Sequence, residues 1–498
     1  MQHWKMAQIF RAMNENLEQN IAAIQKLFCN EASLIVRRIL IGAKIPAAVL
    51  FVDELTDKEL INRDIVRPLL SAKIDSHLTG SALVDYLLQG VIYSSEADSF
   101  DDFNKITGLL LDGDMVLLLE GCGTGINLAV KKWDKRGVEE PPTSAVIRGP
   151  REGFNEDLKT NLTLLRRRLR TPDLMFDIMQ IGKYSGTKVA VVYINSIADP
   201  KVIKQLKRKL ESINIDGILD SSYVEAFIAD NRKSIFQQVG ITEKPDIAAG
   251  KLLEGRVCIV VDGSPSVLTV PFLFVENFQD SGDYYGNTLR KNFLRILRFI
   301  SYIFAILLPG FYVSMLLFHY EMLPSDFLIT VINSRAGIPM NPMLELIFTM
   351  MLFEILQEAS VRMPKHIGTA LSIVGGLILG ETAVKAGSIS SPAVVISAIS
   401  AIAIYNVPEE AGIMNLLRFV FVILGGFIGF VGILMGVLVM CLHLLTLNSF
   451  GIPYMAPYAP VYPNDKQDAL LLKPITQRFL RPDAIPSSNH VRMRHKFR

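Results

Sequence analysis

The sequence has few of the features that mark zinc sites, disulfide frameworks or nucleic-acid binding. Four cysteines occur among 498 residues, far apart and without a CxxC pair, so reduced thiols are expected rather than zinc or disulfides. The formal net charge is only +2, which argues against a dedicated nucleic-acid-binding protein. The N-terminal stretch MQHWKMAQIFRAMNENLEQNIAAIQKLF has no uninterrupted apolar core, so we expect no signal peptide and a cytoplasmic N-terminal region.

Residues 1–285 lack long apolar runs and contain an internal repeat. The block AAVLFVDELTD, from Ala47, matches VAVVYINSIAD, and GLLLDGDMVLLLEG, from Gly108, matches GKLLEGRVCIVVDG. Both matches have an offset of 142 residues, which indicates a duplication. We predict a cytosolic α/β region made of two tandem duplicated subdomains, residues 12–140 and 145–285.

The glycine-rich sequence EGCGTG (Glu120–Gly125) is interpreted as a hairpin turn. A dinucleotide-binding loop follows a strand and opens a helix. Here the following INLAVKKW has strand character, and the second copy has DGSPSVLTV at the same place. Because no nucleophile, metal cluster or phosphate loop remains, we expect no catalytic residue, no cofactor, no metal site and no enzymatic activity.

The second copy begins with IRGPREGFNEDLKTNLTLLRRRLR, which ends in a cluster of arginines. Pro150 suits the first turn of a helix, and an apolar stripe follows at helical spacing. The stripe consists of Phe154, Leu158, Leu162, Leu165 and Leu169. Arg166, Arg167 and Arg168 fall mostly off it, which favours a solvated face. Contact with acidic lipid or a partner subunit is the alternative, and nucleic acid is not expected.

The C-terminal half contains five apolar segments. The first, Phe299–Phe318, has 20 residues without a charge, enough to cross a membrane, and Pro309–Gly310 predicts a kink in it. Basic residues before it place its N-terminal end in the cytoplasm. The last, MNLLRFVFVILGGFIGFVGILMGVLVMCLHLLTL, is treated as one long segment. We predict an all-α polytopic membrane domain at residues 289–450 and a basic cytosolic tail at residues 451–498.

The second apolar segment carries Glu345, Glu354, Glu358 and Arg362. A charge at the centre of a lipid-exposed helix costs roughly 2.5–3.5 kcal/mol, so the three glutamates cannot all face lipid. The last three residues form one charged stripe at i, i+4 and i+8. Two interpretations stay open: an interfacial helix or structural ion pair, and a stripe that faces water or protein inside an assembly. Since two cytoplasmic ends require an even number of crossings, this segment is our first candidate to lie flat or re-enter.

The third segment, IGTALSIVGGLILGETAVKAG, has two different faces. One is a ridge of small residues suited to close helix packing, formed by Ser372, Gly376 and Gly380. The other is apolar in the middle and charged at one end, as in a pore constriction with a charged mouth. It is formed by Leu371, Val374, Ile378, Glu381 and Lys385. Ordinary packing against neighbouring helices is the alternative.

Six stretches together are specific enough to indicate a family. They are VIRGPREGFNEDLKTNLTLLRRRLRTPDL, SSYVEAFIADN, LLEGRVCIVVDGSPSVLTVPF, SGDYYGNTLRKNFLRILRF, FEILQEASVRMPKHIGTALSIVGGLILGETAV and SFGIPYMAPYAP. Over nearly its full length the chain resembles the A subunits of the GerA family of nutrient germinant receptors of endospore-forming bacteria. The signature residues of the first stretch are Arg148, Pro150, Arg151, Phe154, Asn161, Arg166, Arg167 and Arg168.

The resemblance implies a multi-pass protein of the spore inner membrane with both terminal regions on the cytoplasmic, spore-core side. It implies two partners besides membrane lipid: a transporter-like B subunit that binds the germinant, and a lipoprotein C subunit. Copies of the A subunit are expected to form a homo-oligomeric ring, a pentamer, around a pore for monovalent cations. Leu371, Val374 and Ile378 would then be the gate of that pore.

Two alternatives to the channel subunit remain. The chain could be a non-conducting scaffold that anchors the B and C subunits through its duplicated cytosolic domains. It could also be a paralogue of the stage V sporulation AF type, which amplifies germination without a germinant of its own.

Overall fold

The computed structural model describes residues 13–28, 33–53, 55–74, 80–94, 96–130, 149–362 and 380–493. Contacts within the chain divide it into two units. Unit 1 takes Met1–Arg232, Val239–Pro271 and Leu480–Arg498, and unit 2 takes Lys233–Gln238 and Phe272–Phe479. The C-terminal residues from Leu480 are therefore grouped with the N-terminal half of the chain.

The first half of unit 1 is an antiparallel five-stranded sheet with helices. The strands are β1 Leu34–Ile41, β2 Ile45–Val52, β3 Ala97–Phe100, β4 Asp114–Leu119 and β5 Gly125–Ala129. The helices are α1 Leu17–Leu27, α2 Lys58–Leu60, α3 Arg67–Ser71, α4 Ser81–Gly90 and α5 Phe103–Leu111, with a π-helical stretch Ile61–Val66 between α2 and α3. The strand order is β1-β2-β4-β5-β3. EGCGTG joins β4 to β5, so the predicted hairpin turn is confirmed.

The second half of unit 1 has the same arrangement. Its strands are β6 Leu174–Ile181, β7 Thr187–Ile194, β8 Gly240–Thr242, β9 Val257–Val261 and β10 Val267–Val270. Its helices are α6 Leu158–Arg168, α7 Pro200–Glu211, α8 Ser221–Ile228 and α9 Pro245–Leu253. The strand order is β6-β7-β9-β10-β8, the same as in the first sheet. The predicted fold class, an α/β region followed by a helical region, is confirmed, while the domain boundaries remain a proposal.

Strand β2 is apolar on both faces because both faces of the first sheet are covered. Ala47 and Val49 belong to one hydrophobic cluster, to which α4 contributes. Ala48 and Leu50 belong to another, to which α1 and α5 contribute. This alternation follows from the two-residue period of a strand, and it explains why AAVLFV reads as a continuous apolar run.

A hydrogen-bonded turn precedes the first helix of each copy. Asn14 N donates to Asn20 Oδ1 at 3.1 Å, and Asn20 Nδ2 donates to the Asn14 carbonyl at 2.6 Å. Asn155 and Asn161 form the same two bonds, at 2.9 and 2.6 Å. Both inner asparagines are buried, so these bonds satisfy amide groups that would otherwise be left without partners.

The same turn also holds the late hairpin of each copy. Gly121 N donates to the Glu15 carbonyl, and Gly263 N donates to the Glu156 carbonyl, both at 2.8 Å. Gly121 and Gly263 have φ of +74° and +87°, a region that favours glycine. The paired glycines of the sequence repeat therefore occupy one equivalent position in the two copies.

Unit 2 is mainly helical. Its helices are α10 Thr288–Phe318, α11 Ser325–Arg335, α12 Pro342–Arg362, α13 Ser391–Ile404, α14 Ala411–Ile428 and α15 Phe430–Thr446, and residues 380–385 are also helical. Short 3-10 helices lie at Phe274–Phe278, Ser281–Tyr284, Tyr320–Met322, Pro408–Glu410, Asp465–Gln467 and Ile475–Gln477, and β11 Asn448–Ser449 pairs with β12 Ile452–Pro453. Within the described residues, Thr288–Phe318 and Pro408–Ile428 are long and apolar enough to cross a membrane.

Helices α10 and α14 approach each other through two glycines. A Cβ added at Gly425 would lie 2.4 Å from the Gly310 carbonyl oxygen, and one added at Gly310 would lie 2.4 Å from that of Phe421. Both distances are far below any van der Waals contact, so only glycine allows the two backbones to meet here. Close approach at small residues is a recurring way to pack helices in membranes.

The last apolar segment is two helices rather than one. α14 ends at Ile428 and α15 begins at Phe430, and Gly429 between them has φ of +73°. Gly432 lies against the Leu424 carbonyl, since a Cβ there would be 2.6 Å from its oxygen. The chain therefore turns back on itself at Gly429. Counting this stretch as one segment is therefore wrong, because an uninterrupted apolar composition does not reveal a residue in the left-handed conformation.

We predict that Gly425→Ala destabilises unit 2 by about 1–3 kcal/mol, because the added methyl group has no space against the α10 backbone. Thermal unfolding of the full-length protein in detergent measures this change. Gly412→Ala is the matched control on the same helix, since a Cβ at Gly412 meets nothing within 4 Å. The control should be neutral or stabilising by up to about 1 kcal/mol. Equal effects of the two substitutions would contradict the close approach.

Candidate functional site

The candidate site is the set of charged side chains in the helical unit, beginning with Glu345 on α12. Glu345 is 1% exposed. Its Oε2 lies 3.1 Å from Arg335 Nε, and its Oε1 accepts a hydrogen bond from Ser390 N at 2.6 Å. This carboxylate thus joins the end of α11 to the start of α13.

Glu354, on the same helix, pairs with a different element. Its Oε1 forms an ion pair with Arg418 of α14, and its Oε2 accepts a hydrogen bond from Asn415 Nδ2 at 3.3 Å. The Arg418 side chain is buried, so this pair holds α12 against α14. A buried guanidinium needs such a partner, because removing one member of a buried pair leaves an uncompensated charge.

The remaining charges of the predicted stripe are exposed. Arg362 Nε donates to Glu358 Oε1 at 2.7 Å, one turn away, and both side chains are largely solvent-accessible. The predicted Glu→Arg pair on this helix is therefore confirmed, but Glu354 has its own partner on α14. Whether Glu358 and Arg362 face water or another subunit stays a prediction.

The predicted pore face is only partly within the described residues. Leu371, Ser372, Val374, Gly376 and Ile378 lie outside them. Gly380, Glu381 and Lys385 lie in the helical residues 380–385, and Lys385 Nζ is 2.5 Å from Glu381 Oε1. Both charged side chains are more than half exposed. The assignment of these residues to a pore or to a packing ridge stays a prediction.

Sequence reasoning missed a buried charge cluster at the start of α10. Asp283 Oδ2 accepts hydrogen bonds from Arg295 Nε and Arg298 Nη1, both at 2.8 Å, and Asp283 Oδ1 accepts one from Arg298 Nη2 at 3.0 Å. Asp283 and Arg295 are almost fully buried. The stretch SGDYYGNTLRKNFLRILRF was noted as a family marker, but the spacing of these charges gave no sign of their pairing.

The C-terminal region completes this cluster. Asp468 Oδ1 accepts a hydrogen bond from Arg295 Nη1 at 2.8 Å, and Asp468 Oδ2 accepts one from Arg478 Nη1 at 2.7 Å. The guanidinium carbon atoms of Arg295 and Arg478 lie 5.7 and 5.3 Å from the ring centroid of Tyr284. The segment before α10, the α10 helix itself and the chain after α15 are thus joined by one network.

The arginine cluster of the second α/β copy is partly buried. Arg166 is 0% exposed, and its Nη1 donates to the carbonyls of Leu174 and Thr171 at 3.0 and 3.3 Å. Its Nη2 donates to Ser33 Oγ of the first copy at 3.2 Å, and its guanidinium lies 4.4 Å from the Phe176 ring centroid. The predicted solvated face is wrong for Arg166, because the chain after α6 turns back and presents the carbonyls of Thr171 and Leu174 to it.

The remaining signature residues differ in their exposure. Arg168 Nη2 lies 2.8 Å from Glu152 Oε2, and Arg167 Nη2 lies 4.0 Å from Glu152 Oε1. Arg151 is exposed, and Arg148 lies outside the described residues. Phe154 and Asn161 are buried.

The predicted apolar stripe is confirmed, but the predicted helix start is wrong. All five stripe residues are buried: Phe154, Leu158, Leu162, Leu165 and Leu169. Helix α6 begins only at Leu158, where Asp157 accepts a hydrogen bond from Thr160 N at 2.7 Å. Pro150 therefore precedes the helix, because an aspartate cap fixes a helix start more strongly than an upstream proline.

The outer faces of α14 and α15 are apolar. Their exposed large side chains are Leu416, Val420, Ile423, Phe427, Ile428, Phe430, Val431, Leu434, Met435, Leu438, Val439, Leu442 and Leu445. Exposed apolar surface of this extent marks a membrane or protein interface. Together with the internal ion pairs, it defines the class of the protein: a duplicated α/β region joined to a membrane-associated helical unit.

The chain belongs to the GerA family of spore germination proteins. The family model described as Bacillus/Clostridium GerA spore germination protein matches residues 22–484. Spore germination protein KA of Bacillus subtilis (strain 168) is 35% identical over 484 residues, which cover 96% of this chain and 88% of that protein. Spore germination protein GerLA of Bacillus cereus is 35% identical over 480 residues, which cover 95% and 97% of the two chains.

A solved structure that is similar to part of the chain is the crystal structure of the N-terminal domain of the A subunit of the Bacillus megaterium spore germinant receptor GerK3. The match has 28% sequence identity and a TM-score of 0.41, and covers 53% of this chain and 97% of that one.

We predict that Asp283→Asn destabilises unit 2 by about 3–5 kcal/mol, because the buried Arg295 then loses one of its two counter-charges. Thermal unfolding of the full-length protein in detergent measures the loss. Glu321→Gln neutralises an exposed carboxylate of the same unit and should change stability by no more than about 0.5 kcal/mol. An equally small effect at Asp283 would show that the cluster does not hold α10.

The charge cluster around Asp283 also predicts how the stability of unit 2 changes with pH. Burial alone would raise the pKa of Asp283, but the hydrogen bonds and charges of Arg298 and Arg295 outweigh burial and hold this pKa below its ordinary value. The stabilisation is therefore complete above the unfolded-state value of about 3.9 and is lost as the pH falls through the lower folded value. The melting temperature difference between wild type and Asp283→Asn should shrink below about pH 4. A difference that grows on acidification would contradict this sign.

Proposed function

We propose that the chain is the A subunit of a nutrient germinant receptor in the spore inner membrane. The match to the GerA family over residues 22–484 carries this proposal. The relatives named as spore germination proteins align with both units of this chain, so the whole architecture is shared with them. The proposed partners are a transporter-like B subunit that senses the germinant and a lipoprotein C subunit.

The finer proposal is a cation channel formed by a ring of five copies. It is supported by the segment that contains Leu371, Val374 and Ile378. One face of this segment carries small residues, and the other is an apolar face that suits a pore constriction. The same segment also carries the exposed ion pair of Glu381 and Lys385, a charge arrangement that suits the mouth of a pore. Germinant binding to the partner subunit would open the pore to monovalent cations and start germination.

The helical unit supplies two features that such a channel needs. The pairs Glu345–Arg335 and Glu354–Arg418 neutralise charges inside the unit, which leaves its outer surface apolar. The exposed apolar side chains of α14 and α15 can be covered by lipid or by neighbouring copies. The proposed topology keeps both α/β copies and the chain termini on the spore-core side.

A non-conducting scaffold and a paralogue of the stage V sporulation AF type are the competing functions. A scaffold would use the exposed faces for assembly, and a smaller side chain in place of Val374 would not change its function. An amplifying paralogue would influence germination by several different nutrients. Deletion of the gene separates these cases, since loss of the response to one nutrient class favours the receptor subunit.

We predict that Val374→Ala causes release of potassium ions from spores without nutrient. The change removes two methylene equivalents from each copy of the constriction, worth about 0.8 kcal/mol each, and shifts the closed–open equilibrium at least about tenfold. Flame photometry of the medium measures the release. Val395→Ala is the matched control, because Val395 is an exposed valine of α13. Normal receptor assembly without any ion release in Val374→Ala would favour the scaffold.

A further inference from the structure

A carboxylate without a cationic partner lies just before α14. Glu410 is 0% exposed, at the end of the short 3-10 helix Pro408–Glu410. Its Oε1 accepts a hydrogen bond from Asn277 Nδ2 at 2.6 Å. Its Oε2 is buried and has no hydrogen-bond partner among the residues that the structure describes.

Three more oxygen atoms around this carboxylate are buried and unpartnered within the described chain. They are Asn277 Oδ1 and the phenolic oxygens of Tyr302 and Tyr454. The ring of Phe274 lies 5.9 Å from each tyrosine ring. Tyr302 and Tyr454 belong to the same buried cluster as Val407 and Met414, which lie on either side of Glu410 in the chain. All four groups therefore share one pocket of unit 2.

Four unsatisfied polar atoms in one place indicate a missing ligand. A buried oxygen atom without a hydrogen bond is unfavourable, and folded proteins leave few of them. Asn277 also has a suitable orientation: its amide nitrogen is used on Glu410, which leaves its carbonyl oxygen free to coordinate. Carboxylate, amide carbonyl and hydroxyl oxygens together are the ligand set of a hard cation.

The charge of the pocket selects a monovalent ion. Glu345 and Glu354 pair with arginines, whereas Glu410 forms no ion pair within the described part of the chain. Burial disfavours a bare charge on this carboxylate, so a bound cation takes the place of its proton. One monovalent cation leaves the pocket neutral, as the proton does, whereas a divalent ion leaves a buried excess of positive charge.

We propose that Glu410, Asn277, Tyr302 and Tyr454 bind one monovalent metal cation, Na⁺ or K⁺, inside the helical unit. The ion joins four separate parts of unit 2: the segment before α10, α10 itself, the turn before α14 and the chain after α15. It is a structural site formed by residues other than those predicted for the constriction, Leu371, Val374 and Ile378. The proposal therefore does not rest on channel activity.

The test uses the full-length protein purified in detergent, in Na⁺, K⁺ or N-methylglucamine chloride at constant ionic strength. We expect Na⁺ or K⁺ to raise the melting temperature by about 2–4 °C relative to N-methylglucamine. Equilibrium dialysis with radioactive sodium or rubidium should find one bound ion per chain. Glu410→Gln should lose both the temperature shift and the bound isotope. Glu409→Gln, at the exposed neighbouring carboxylate, should keep both.

Three results would overturn the proposal. The first is equal melting temperatures in all three chlorides with no bound isotope, which would indicate that water fills the pocket. The second is binding of Ca²⁺ in place of the monovalent ions. The third is unchanged ion binding in Glu410→Gln. If Glu410→Gln does not fold, Tyr454→Phe removes one ligand oxygen while keeping the ring, and it should weaken isotope binding about tenfold.

Discussion

Carboxylates buried in an apolar helical unit each require a compensating group, and the positions of the helices follow from where those groups lie. Glu345 of α12 pairs with Arg335 of α11 and accepts a hydrogen bond from the start of α13. Glu354 of the same helix pairs with Arg418 of α14. Asp283 fixes the start of α10 through two arginines. Because a broken pair would leave a buried charge, these contacts define one arrangement of helices where apolar packing alone would allow several.

Glycine provides the complementary constraint, since ion pairs set which helices meet and glycines set how closely. Gly310 and Gly425 let the α10 and α14 backbones touch, and Gly429 turns the chain so that α15 packs back on α14. Leu, Ile and Phe then remain on the outside, where lipid or neighbouring subunits can cover them. The unit is thus polar in selected internal places and apolar on its surface, the reverse of a soluble domain.

In the α/β region, the two copies of the duplication keep the same turn through hydrogen bonds between side chains and backbone groups. Asn20 and Asn161 stabilise the same turn through equivalent hydrogen bonds. The motif NExLxxN in both copies could have been found by comparing them at the repeat offset, yet its role depends on which backbone groups it faces. Arg166 differs, because it bonds to Ser33 of the other copy and so joins the two halves.

Periodicity and repetition are local properties, so the sequence by itself determined the family, the α/β and helical regions, the hairpin turns and the leucine stripe of α6. It could not identify Gly429 as a break or Arg166 as a buried side chain, because both depend on contacts with distant residues. The tertiary structure alone decided which charges meet. Arg295 and Asp468, or Asn277 and Glu410, are far apart in the chain, and only folding brings their atoms within hydrogen-bond distance.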